Sequence, residues 1–507
     1  MKIFNTAQIR AWDTYTVENE PVASVELMNR AAKVFTDWFV SVYKDTQRPV
    51  VIFAGTGNNG GDGLVAARLL HWQMYAVKIC VCDFGGYRST DFTAQLNALQ
   101  KDIEVIYLND PNDLNYANYP NNTLFIDALF GSGLSRPLEG AWIQVIDFLN
   151  SLPNEIVSID LPSGLFADRH TPGDAIIRST RTFSFETPKR AFFFPENAQR
   201  VGRWDFGSIG LHLDFYSKTE TPFHYLTGNQ AAMLVRPRTK FSHKGTYGHA
   251  LLIAGSYGKM GAAVLAAKAC LRAGAGLLTV HAPCCGNIVL QSAVPEAMFS
   301  ACKRAKIWTE TPDLTPYSAI GVGCGIGQAD ETALALENLL QSLAALPESS
   351  LVLDADALNL LAGNPDWWRH VPRNSILTPH PKEFERLFGK SANDFERNDL
   401  QRLRAQEHGV FIILKGAHTA IACPDGSCWF NSTGNPGMAT GGAGDVLTGI
   451  LTGLLAQGYS PRDAALLGVF LHGLAGDQAA KELGQEALTA GDLTVFLGKA
   501  WLTVEMC

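Results

Sequence analysis

Short apolar runs that end in glycine, aspartate or proline recur along this chain and alternate with helical stretches. The first half contains PVVIFAG, TLFIDALFG and EIVSIDLPSG, and the second half contains HALLIAGS and SLVLDADAL. Runs of this length without polar alternation are typical of parallel strands that helices bury on both faces. The pattern therefore predicts an α/β fold, whose ligand groups gather where the parallel strands end.

The alternation is interrupted once, near residues 214–228, where DFYSKTETPFHYLTG shows no clear periodicity. We expect the domain boundary there, with residues 1–217 in one domain and residues 218–507 in the other. Hydrophobic residues make up 47% of the chain, which is enough for a core in each half. The prediction is two three-layer α/β/α domains, and the glycine turn after its first strand makes the N-terminal domain Rossmann-like.

Charge and apolar segments limit the partners of this chain. The net charge is −8 and the basic residues are scattered, which argues against nucleic acid or an anionic membrane as the main partner. The long apolar stretch GAAVLAAKACLRAGAGLL contains Lys268 and Arg272, as expected for a buried helix rather than a membrane span. The N-terminus lacks the plan of a secretory signal, and the ten cysteines show neither zinc spacing nor a disulfide pattern. We expect a cytoplasmic protein with reduced thiols.

A glycine-rich segment, GTGNNGGDG, directly follows the first apolar run. Gly55, Gly57 and Gly60 form the G-x-G-x-x-G pattern of a dinucleotide-binding turn, and Asp83 ends the next strand where a ribose-binding acid is expected. Asp62 conflicts with that interpretation, because a carboxylate at a helix N-terminus competes for the N–H groups that hold a phosphate. A NAD-type turn and a site for another ligand both stay open at this point.

Two further strand ends add polar groups to the same crevice of the predicted sheet. FIDALFGSGLSRP places Asp127 at a strand end before a second glycine loop, and SIDLPSG places Asp160 and Ser163 at the next strand end. Asn59, Asp127 and Ser163 offer oxygen ligands with few formal charges, which suits a monovalent cation. The loop Gly131–Pro137, which carries an arginine, is then available for phosphates.

The motifs GTGNNGGDG, DALFGSGLSRP and DLPSG, in this order, make the N-terminal domain resemble the family of NAD(P)H-hydrate epimerases. One departure is PKRAFFF, where that family usually has Lys-Pro-Gly. The substrate-binding residues that the resemblance implies are Asn58, Asn59, Gly60, Gly61, Asp62, Gly131, Ser132, Gly133, Leu134, Ser135, Arg136, Pro137 and Asp160. The potassium ligands that it implies are Asn59, Asp127 and Ser163.

The segment STGNPGMATGGAGDVLTGI is the richest in the second half. Gly441, Gly442 and Gly444 let backbone N–H groups turn inward at a helix start and form an anion cradle. Asp445 then lies where a base reaches a hydroxyl beside that cradle, although a plain helix cap is the alternative interpretation. Lys415–Thr419, in ILKGAHT, add a phosphate clamp at a strand end.

Two other strand ends in this half carry groups whose role the residues alone leave undecided. In TPHPKEFERL, His380 lies between two prolines in a rigid turn, for which a structural role is the simplest explanation. In LDADALN, Asp354 and Asp356 end a strand, where Mg²⁺ binding and helix capping are equally consistent with the pattern. The loop Gly321–Gly327, GVGCGIG, permits close approach of a ligand.

Together with SHKGTYG, these segments are similar to the ribokinase-like superfamily, and within it to ADP- or ATP-dependent NAD(P)H-hydrate dehydratases. The resemblance implies Mg²⁺ with ADP as phosphoryl donor. The residues implied to face the hydrate are Ala262, Gly323, Gly325, Gly327, His380 and Asp445. The residues implied to hold the adenine nucleotide are Lys415, Gly416, Ala417, His418, Thr419 and Gly444. The departures from the family pattern are Cys324 for proline, Ala254 for glycine and Ala443 for a small hydroxyl residue.

The two resemblances fit one chemistry, the repair of NADHX and NADPHX, in which the nicotinamide ring has taken up water. In the second domain, Asp445 would take the proton of the C6 hydroxyl so that ADP phosphorylates it, after which phosphate leaves and AMP remains. The first domain would interconvert the R and S forms, and our hypothesis is that Asp160 serves as acid and base. Ring opening is a competing route to the same exchange.

Other functions fit parts of the sequence. A ribokinase-like small-molecule kinase with a nucleotide-binding N-terminal domain is the main alternative. An NAD-dependent dehydrogenase and a non-catalytic N-terminal binding module are the others. The residues do not decide between ADP and ATP, or between NADHX and NADPHX. We expect ADP as the donor and a homo-oligomer as the assembled form.

Overall fold

The computed structural model describes residues 1–344 and 350–506. The chain divides into two compact units, Lys2–Thr221 and Pro222–Cys507, the second together with Met1. The division therefore lies between Thr221 and Pro222, close to the boundary expected after residue 217.

The first unit is a parallel sheet covered by helices. Its strands are β1 (Val50–Ala54), β2 (Val77–Cys82), β3 (Glu104–Leu108), β4 (Leu124–Ala128), β5 (Ile156–Ile159), β6 (Arg181–Phe185) and β7 (Arg203–Gly207). Its helices are α1 (Thr6–Asn19), α2 (Ser24–Val42), α3 (Asn58–Trp72), α4 (Thr90–Asn97), α5 (Ala141–Ser151), α6 (Ala198–Val201) and α7 (Leu213–Lys218). The strand order is β3-β2-β1-β4-β5-β6-β7, which contains the Rossmann order with its ligand-binding switch point between β1 and β4.

Strand β1 shows why the unit has three layers. Val50, Ile52 and Ala54 pack into a core with residues of α2 and α3 on one face of the sheet. Val51 and Phe53 pack into a second core with residues of α5 on the other face. Both faces are therefore apolar and covered, as the uninterrupted apolar run predicts.

The apolar run DIEVIYL, which forms strand β3, resembles the other runs and would be predicted to be buried on both faces, but this prediction is wrong. Glu104, Ile106 and Tyr107 are exposed, and Leu108 is the buried residue of the strand. The reason is position, because β3 forms the edge of the sheet, where helices cover the strand less completely. An apolar run alone does not distinguish an edge strand from a central one.

The second unit contains a larger, mixed sheet. Its strands are β8 (Phe223–Leu226), β9 (His249–Ile253), β10 (Leu277–Pro283), β11 (Met298–Cys302), β12 (Ala319–Val322), β13 (Ser350–Leu353), β14 (Ile376–Leu377), β15 (Phe411–Leu414), β16 (Ala420–Ala422) and β17 (Cys428–Asn431). The order in the described residues is β11-β10-β9-β12-β13-β14-β15-β16-β17-β8. Neighbours from β11 to β15 are parallel, and β16 is antiparallel to β15 and β17, so the segment AIACPDGSCWFNST forms a hairpin.

Helices cover both faces of this sheet as well. They are α8 (Gly228–Ala232), α9 (Met260–Arg272), α10 (Asn287–Ala293), α11 (Asp330–Ala344), α12 (Ala355–Gly363), α13 (Pro381–Phe388), α14 (Asp394–His408), α15 (Ala443–Ala456), α16 (Pro461–Leu483) and α17 (Ala490–Glu505). Leu252 of β9 packs with residues of α9 and α15, whereas Leu251 packs with residues of α11 and α12 on the opposite face. This unit also has three layers.

The segment 214–228, whose sequence shows no clear periodicity, contains regular secondary structure. Its residues form α7 and β8, and β8 extends the second sheet by pairing in parallel with β17. The imidazole of His224 stacks on the indole of Trp429 with ring centroids 4.3 Å apart. Because the partner strand lies about two hundred residues later in the chain, local periodicity gives a weak signal for β8.

Helix α15 is held deep in the second unit by close contact with α9. A Cβ atom at Gly449 would lie 2.2 Å from the carbonyl oxygen of Ala266, so only glycine permits this helix spacing. The contact fixes the N-terminus of α15, which carries the GGAGD motif, at the ends of the parallel strands.

The structure also bears on two general expectations. In the part of the chain that is described, no helix is long and apolar enough to cross a membrane. Nine cysteines within these residues have free thiols, and seven of the nine are buried. Cys507 lies outside the described residues.

Candidate active sites

A cleft of about 1040 Å³ opens in the first unit where β1, β4 and β5 end. The predicted site residues that line it are Asn58, Asn59, Asp62, Gly131, Ser132, Gly133, Leu134, Ser135, Arg136 and Asp160. Gly60 and Gly61 lie in the first turn of α3 against Gly55 and Met28, and Pro137 follows the lining loop. Asp83, the acid expected for a NAD-type turn, is paired with Arg88.

Asp160 forms a buried ion pair in this cleft. Its Oδ1 atom lies 3.0 Å from the Nζ atom of Lys189, and its Oδ2 atom accepts a 3.1 Å hydrogen bond from the backbone N–H of Ser132. Asp160 adopts φ of +65°, a left-handed conformation that is uncommon outside glycine and concentrated at functional sites. Burial raises the pKa of Asp160, but Lys189 and the Ser132 hydrogen bond outweigh burial and hold this pKa below its ordinary value.

The partner Lys189 comes from the loop in which the sequence departs from the epimerase pattern. Lys189 is 2% exposed, and its ammonium group also donates to the carbonyl oxygens of Phe185 and Thr187, at 3.1 and 3.3 Å. Lys189 could not be assigned from the sequence, because this loop has Pro-Lys-Arg where the family pattern has Lys-Pro-Gly.

Two further carboxyl groups face Asp160. Burial, followed by the charges of Asp160 and Asp13, raises the pKa of Asp62 well above its ordinary value. Burial and the charge of Asp160 raise the pKa of Asp13, on helix α1, to about 7. The same surroundings disfavour a charge on Asp62, so Asp62 competes less strongly with a phosphate-bearing ligand than an ordinary carboxylate would. Asp13 could not be predicted as a site residue, because a single aspartate on a helix forms no recognisable motif.

The three residues implied to bind potassium lie at the end of β4, in the loop after β5 and in the first turn of α3. Asp127 is buried at the end of β4, and its two carboxylate oxygens accept hydrogen bonds from the hydroxyl and the backbone N–H of Ser163, at 2.5 and 2.8 Å. Asn59 lies in the first turn of α3, and its buried amide nitrogen has no hydrogen-bond partner among residues 1–344 and 350–506. Burial raises the pKa of Asp127, and the described residues give it no ion pair, so a cation fits this oxygen-rich site.

The second site begins at the N-terminus of α15. Gly442 caps this helix with φ of +95°, and Asp445 lies in its first turn. Ligand atoms of Asp445, Asp354 and Cys324 lie within 4.8 Å of one another. Burial, together with the charge of Asp354, raises the pKa of Asp445 to about 6, which is a suitable value for a general base near neutral pH.

Lys415 joins the strand end of β15 to this cluster. Its Nζ atom lies 3.0 Å from Asp354 Oδ1 and 3.9 Å from Glu383 Oε2. It also lies 3.4 Å from the position that a Cβ atom at Gly444 would occupy, so Lys415 and Gly444 come together as predicted for one ligand. Burial lowers the pKa of Lys415, but Asp354 and Glu383 outweigh burial and raise it, so Lys415 is an ammonium ion.

Asp354 and Asp356, whose role the sequence left open, both have hydrogen-bond partners within the protein. Asp354 accepts hydrogen bonds from the hydroxyls of Thr378 and Thr448, at 2.7 and 2.8 Å, in addition to Lys415. Asp356 accepts a 2.8 Å hydrogen bond from the backbone N–H of Gly327 and so fixes the end of the GVGCGIG loop. Asp354 thus orients the lysine, and Asp356 orients the loop.

The other predicted residues of this half occupy the turns around the cluster. Gly325 packs against Ala262, since a Cβ atom at Gly325 would lie 3.2 Å from the Ala262 Cβ atom. His380 caps α13, where its Nδ1 atom accepts from the backbone N–H groups of Lys382 and Glu383, at 3.1 and 3.3 Å. The remaining residues are Gly323, which follows β12, and Gly416, Ala417, His418 and Thr419, which form the turn from β15 to β16.

His380 has a second connection to the site. The backbone N–H of His380 donates to Glu383 Oε2 at 2.8 Å, and the same carboxylate oxygen faces Lys415. The imidazole is half-exposed, so it is available to a ligand on its other side. Both the structural role and the implied binding role of His380 are compatible with this geometry.

The two units thus carry different reactive groups at the ends of their parallel strands. The first has an ion-paired carboxylate among protonatable carboxyls, and the second has a base beside a helix N-terminus and a fixed ammonium group. These features define a two-domain α/β enzyme whose second site suits phosphoryl transfer.

Comparisons with known proteins agree with this class. Residues 24–191 match the family model described as YjeF-related protein N-terminus, and residues 250–497 match the family model described as NAD(P)H-hydrate dehydratase. The bifunctional NAD(P)H-hydrate repair enzyme of Moorella thermoacetica is 34% identical, over 98% of this chain and 96% of that protein. The enzyme of the same name from Coxiella burnetii is 34% identical, over 97% of each.

A solved structure, the ADP/ATP-dependent NAD(P)H-hydrate dehydratase of Bacillus subtilis co-crystallised with ATP/Mg²⁺, is 32% identical with a TM-score of 0.48. It covers 56% of this chain and 99% of its own. From the full-length relatives, the chain belongs to the family of bifunctional NAD(P)H-hydrate repair enzymes. The family predicted from the motifs is confirmed, together with the two α/β domains.

Proposed function

We propose that the first unit exchanges the R and S forms of NAD(P)H hydrate, and that the second unit dehydrates the S form to NAD(P)H with ADP, which gives AMP and phosphate. The observation that carries the proposal is the position of Lys415 at the start of α15, where its Nζ atom lies 3.4 Å from the place of a Cβ atom at Gly444, next to Asp445. That arrangement supplies a base, a fixed positive charge and backbone donors around one point.

In the second site, Asp445 takes the proton of the C6 hydroxyl as the oxygen attacks the terminal phosphoryl group of ADP. Lys415, oriented by Asp354, and the N-terminal N–H groups of α15 stabilise the charge on that phosphoryl group. The phosphorylated oxygen is a better leaving group than hydroxide. Phosphate then departs as C5 loses a proton, and the ring double bond is restored.

Mg²⁺ is expected with ADP, but among the described residues the carboxylates near Asp445 are poorly placed to hold it as a pair. Both oxygens of Asp354 are occupied by Lys415, Thr378 and Thr448, and the Cys324 thiol is a poor ligand for this hard cation. We therefore assign Mg²⁺ to the nucleotide phosphates.

In the first site, Asp160 acts on the C6 oxygen of the hydrate while the loop Gly131–Pro137 and Asn58 hold the nucleotide. Asn59, Asp127 and Ser163 would hold K⁺. Such an ion supplies positive charge beside the buried Asp127 and supports the adjoining glycine loop.

The test is to incubate each purified hydrate epimer with the full-length enzyme and K⁺, with and without Mg²⁺ and ADP, and to separate the products by chromatography. We expect epimer exchange without nucleotide, and NAD(P)H formation with stoichiometric AMP and phosphate when ADP is added. ATP in place of ADP measures the donor preference. Accumulation of a stable phosphorylated product would instead support a small-molecule kinase.

A further inference from the structure

Epimerisation at C6 needs a proton donor as well as a base. If the ring nitrogen expels the C6 oxygen, that oxygen must leave as water, because hydroxide is a poor leaving group. Asp160 is poorly suited to give this proton, since its pairing with Lys189 keeps it ionised. A second group in the cleft must then hold the proton.

Helix α1 presents such a group to the cleft. Asp13 lies on the cleft wall together with Asp160 and Lys189. No hydrogen bond or ion pair engages its carboxyl group within residues 1–344 and 350–506, so the group is not used in holding the fold together. This distinguishes Asp13 from Asp160, whose two oxygens both have partners.

Contacts with one loop fix Asp13 relative to Asp160. The Arg10 guanidinium, one turn before Asp13 on α1, donates to the carbonyl oxygen of Gly133 at 2.9 Å. The hydroxyl of Thr6, at the start of α1, donates to the carbonyl oxygen of Ser132 at 3.2 Å. The same Ser132 donates its backbone N–H to Asp160. The helix that carries Asp13 is therefore docked on the loop that holds Asp160.

We propose that Asp13 is the second catalytic residue of epimerisation, acting as the proton donor to the departing C6 oxygen while Asp160 accepts the proton of the incoming water. This inference rests on the proposed epimerase function. The Asp13 proton passes to the C6 oxygen, the C6–O bond breaks with electrons from the ring nitrogen, and one water leaves. A second water then bonds to C6 from the other face and loses a proton to Asp160. Solvent returns the transferred proton from Asp160 to Asp13.

The charges around Asp13 suit this role. They come from Asp62 on α3, Asp160 after β5, and Glu186 and Lys189 after β6. Burial and the neighbouring carboxylates favour the protonated form and Lys189 opposes it, so both forms of Asp13 are accessible near neutral pH. Burial and the same carboxylates also raise the pKa of Asp62, so Asp62 is the alternative donor that the test must distinguish from Asp13.

The test uses the full-length variants Asp13→Asn and Asp62→Asn, with Asp147→Asn as the matched control. Asp147 is an exposed aspartate on α5 that does not line the cleft, so its variant makes the same chemical change away from the proposed step. We expect Asp13→Asn to lower kcat for epimerisation by about 10²- to 10⁴-fold with little change in KM, as for the loss of a general acid. We also expect the fall in wild-type kcat above pH 7 to be absent from the residual activity of this variant, and Asp13→Glu to restore part of the rate.

Nucleotide-dependent dehydration of the pure S form by the same variants reports intact protein. An Asp13→Asn rate within about tenfold of wild type overturns the assignment, because a general acid contributes more than that. A large loss confined to Asp62→Asn also overturns it and moves the role to Asp62. If the wild-type enzyme itself fails to exchange the epimers, the proposed function fails first, and the variants are not needed to show it.

Discussion

The ammonium nitrogen of Lys189 lies 3.0 Å from a carboxylate oxygen of Asp160, and both side chains are buried at the base of the first cleft. Neither charge has bulk water to stabilise it, so each depends on the other. The pair thus fixes Asp160 as an anion in the place where the substrate is expected to react.

Replacing Lys189 with methionine should leave the buried carboxylate of Asp160 without its ion-pair partner. We expect the free energy of unfolding of the first unit to fall by about 3–5 kcal/mol at neutral pH, the usual cost of removing one partner of a buried pair. Denaturant titration followed by a probe in the first unit measures the change. Lys33→Met, which breaks an exposed pair with Asp37, is the control and should change stability by less than about 1 kcal/mol.

The same pair predicts how stability depends on pH. Because the pKa of Asp160 is lowered in the folded protein, its contribution is present above the unfolded pKa near 3.8 and is lost as pH falls through the folded value. Wild type should therefore lose stability relative to Lys189→Met as the solution becomes strongly acidic. Parallel pH curves for the two proteins would contradict the pairing.

Asp445→Asn should abolish most of the dehydratase activity and leave epimerisation intact. Loss of a general base lowers kcat by about 10²- to 10⁴-fold. In the wild type, the dehydration rate should rise as pH increases through about 6, since the pKa of Asp445 is raised to about 6 and the ionised form is the active one. Glu505→Gln, an exposed change on α17, serves as the control for this measurement. A variant whose rate rises at the same pH would assign the base to another residue.

Lys415→Met should lower the dehydration rate with ADP by about 10²- to 10³-fold, as for the loss of one preorganised charge-stabilising group. Asp354→Asn should have a smaller effect of the same kind, because Lys415 keeps its charge but loses its nearest partner. Steady-state kinetics with varied ADP separates binding from turnover. Unchanged kinetics in Lys415→Met would remove the lysine from the phosphoryl site.

Potassium dependence should belong to the first unit alone. Exchange of K⁺ for a bulky organic cation should reduce epimerisation of the wild type, and Asp127→Asn should reduce epimerisation and weaken its response to K⁺, because the site then lacks its one carboxylate. Dehydration of the pure S form by Asp127→Asn should match wild type under the same conditions. Equal potassium responses in wild type and Asp127→Asn would show that the ion acts elsewhere.

The strand-end motifs were predictable because their signals are local. An apolar run followed by glycine or proline specifies both the strand and the group at its end, so Asp127 and Asp160 were found without tertiary information. Asp445 was found from the glycine-rich start of its helix. The Rossmann-like architecture predicted from the first glycine turn agrees with the observed strand order.

The partners of these groups were not predictable, because the fold brings them together across long stretches of sequence. Lys189 reaches Asp160 from the next strand end, and Asp13 reaches the cleft from the first helix. The role of Asp354 as an orienting group depends on Thr448 and Lys415, each more than fifty residues away. Such contacts leave no periodic pattern in the sequence.

The central claim is that two separate sites act in turn on one substrate, and a complementation assay tests it most directly. Asp160→Asn and Asp445→Asn are each mixed with the R hydrate, K⁺, Mg²⁺ and ADP, alone and together, and NADH formation is followed by absorbance. Each variant alone should form NADH no faster than spontaneous epimerisation or residual dehydration permits, and the mixture should recover a rate near that of the wild type. Failure of the mixture to recover, or wild-type conversion of the R form by either variant alone, would contradict the claim.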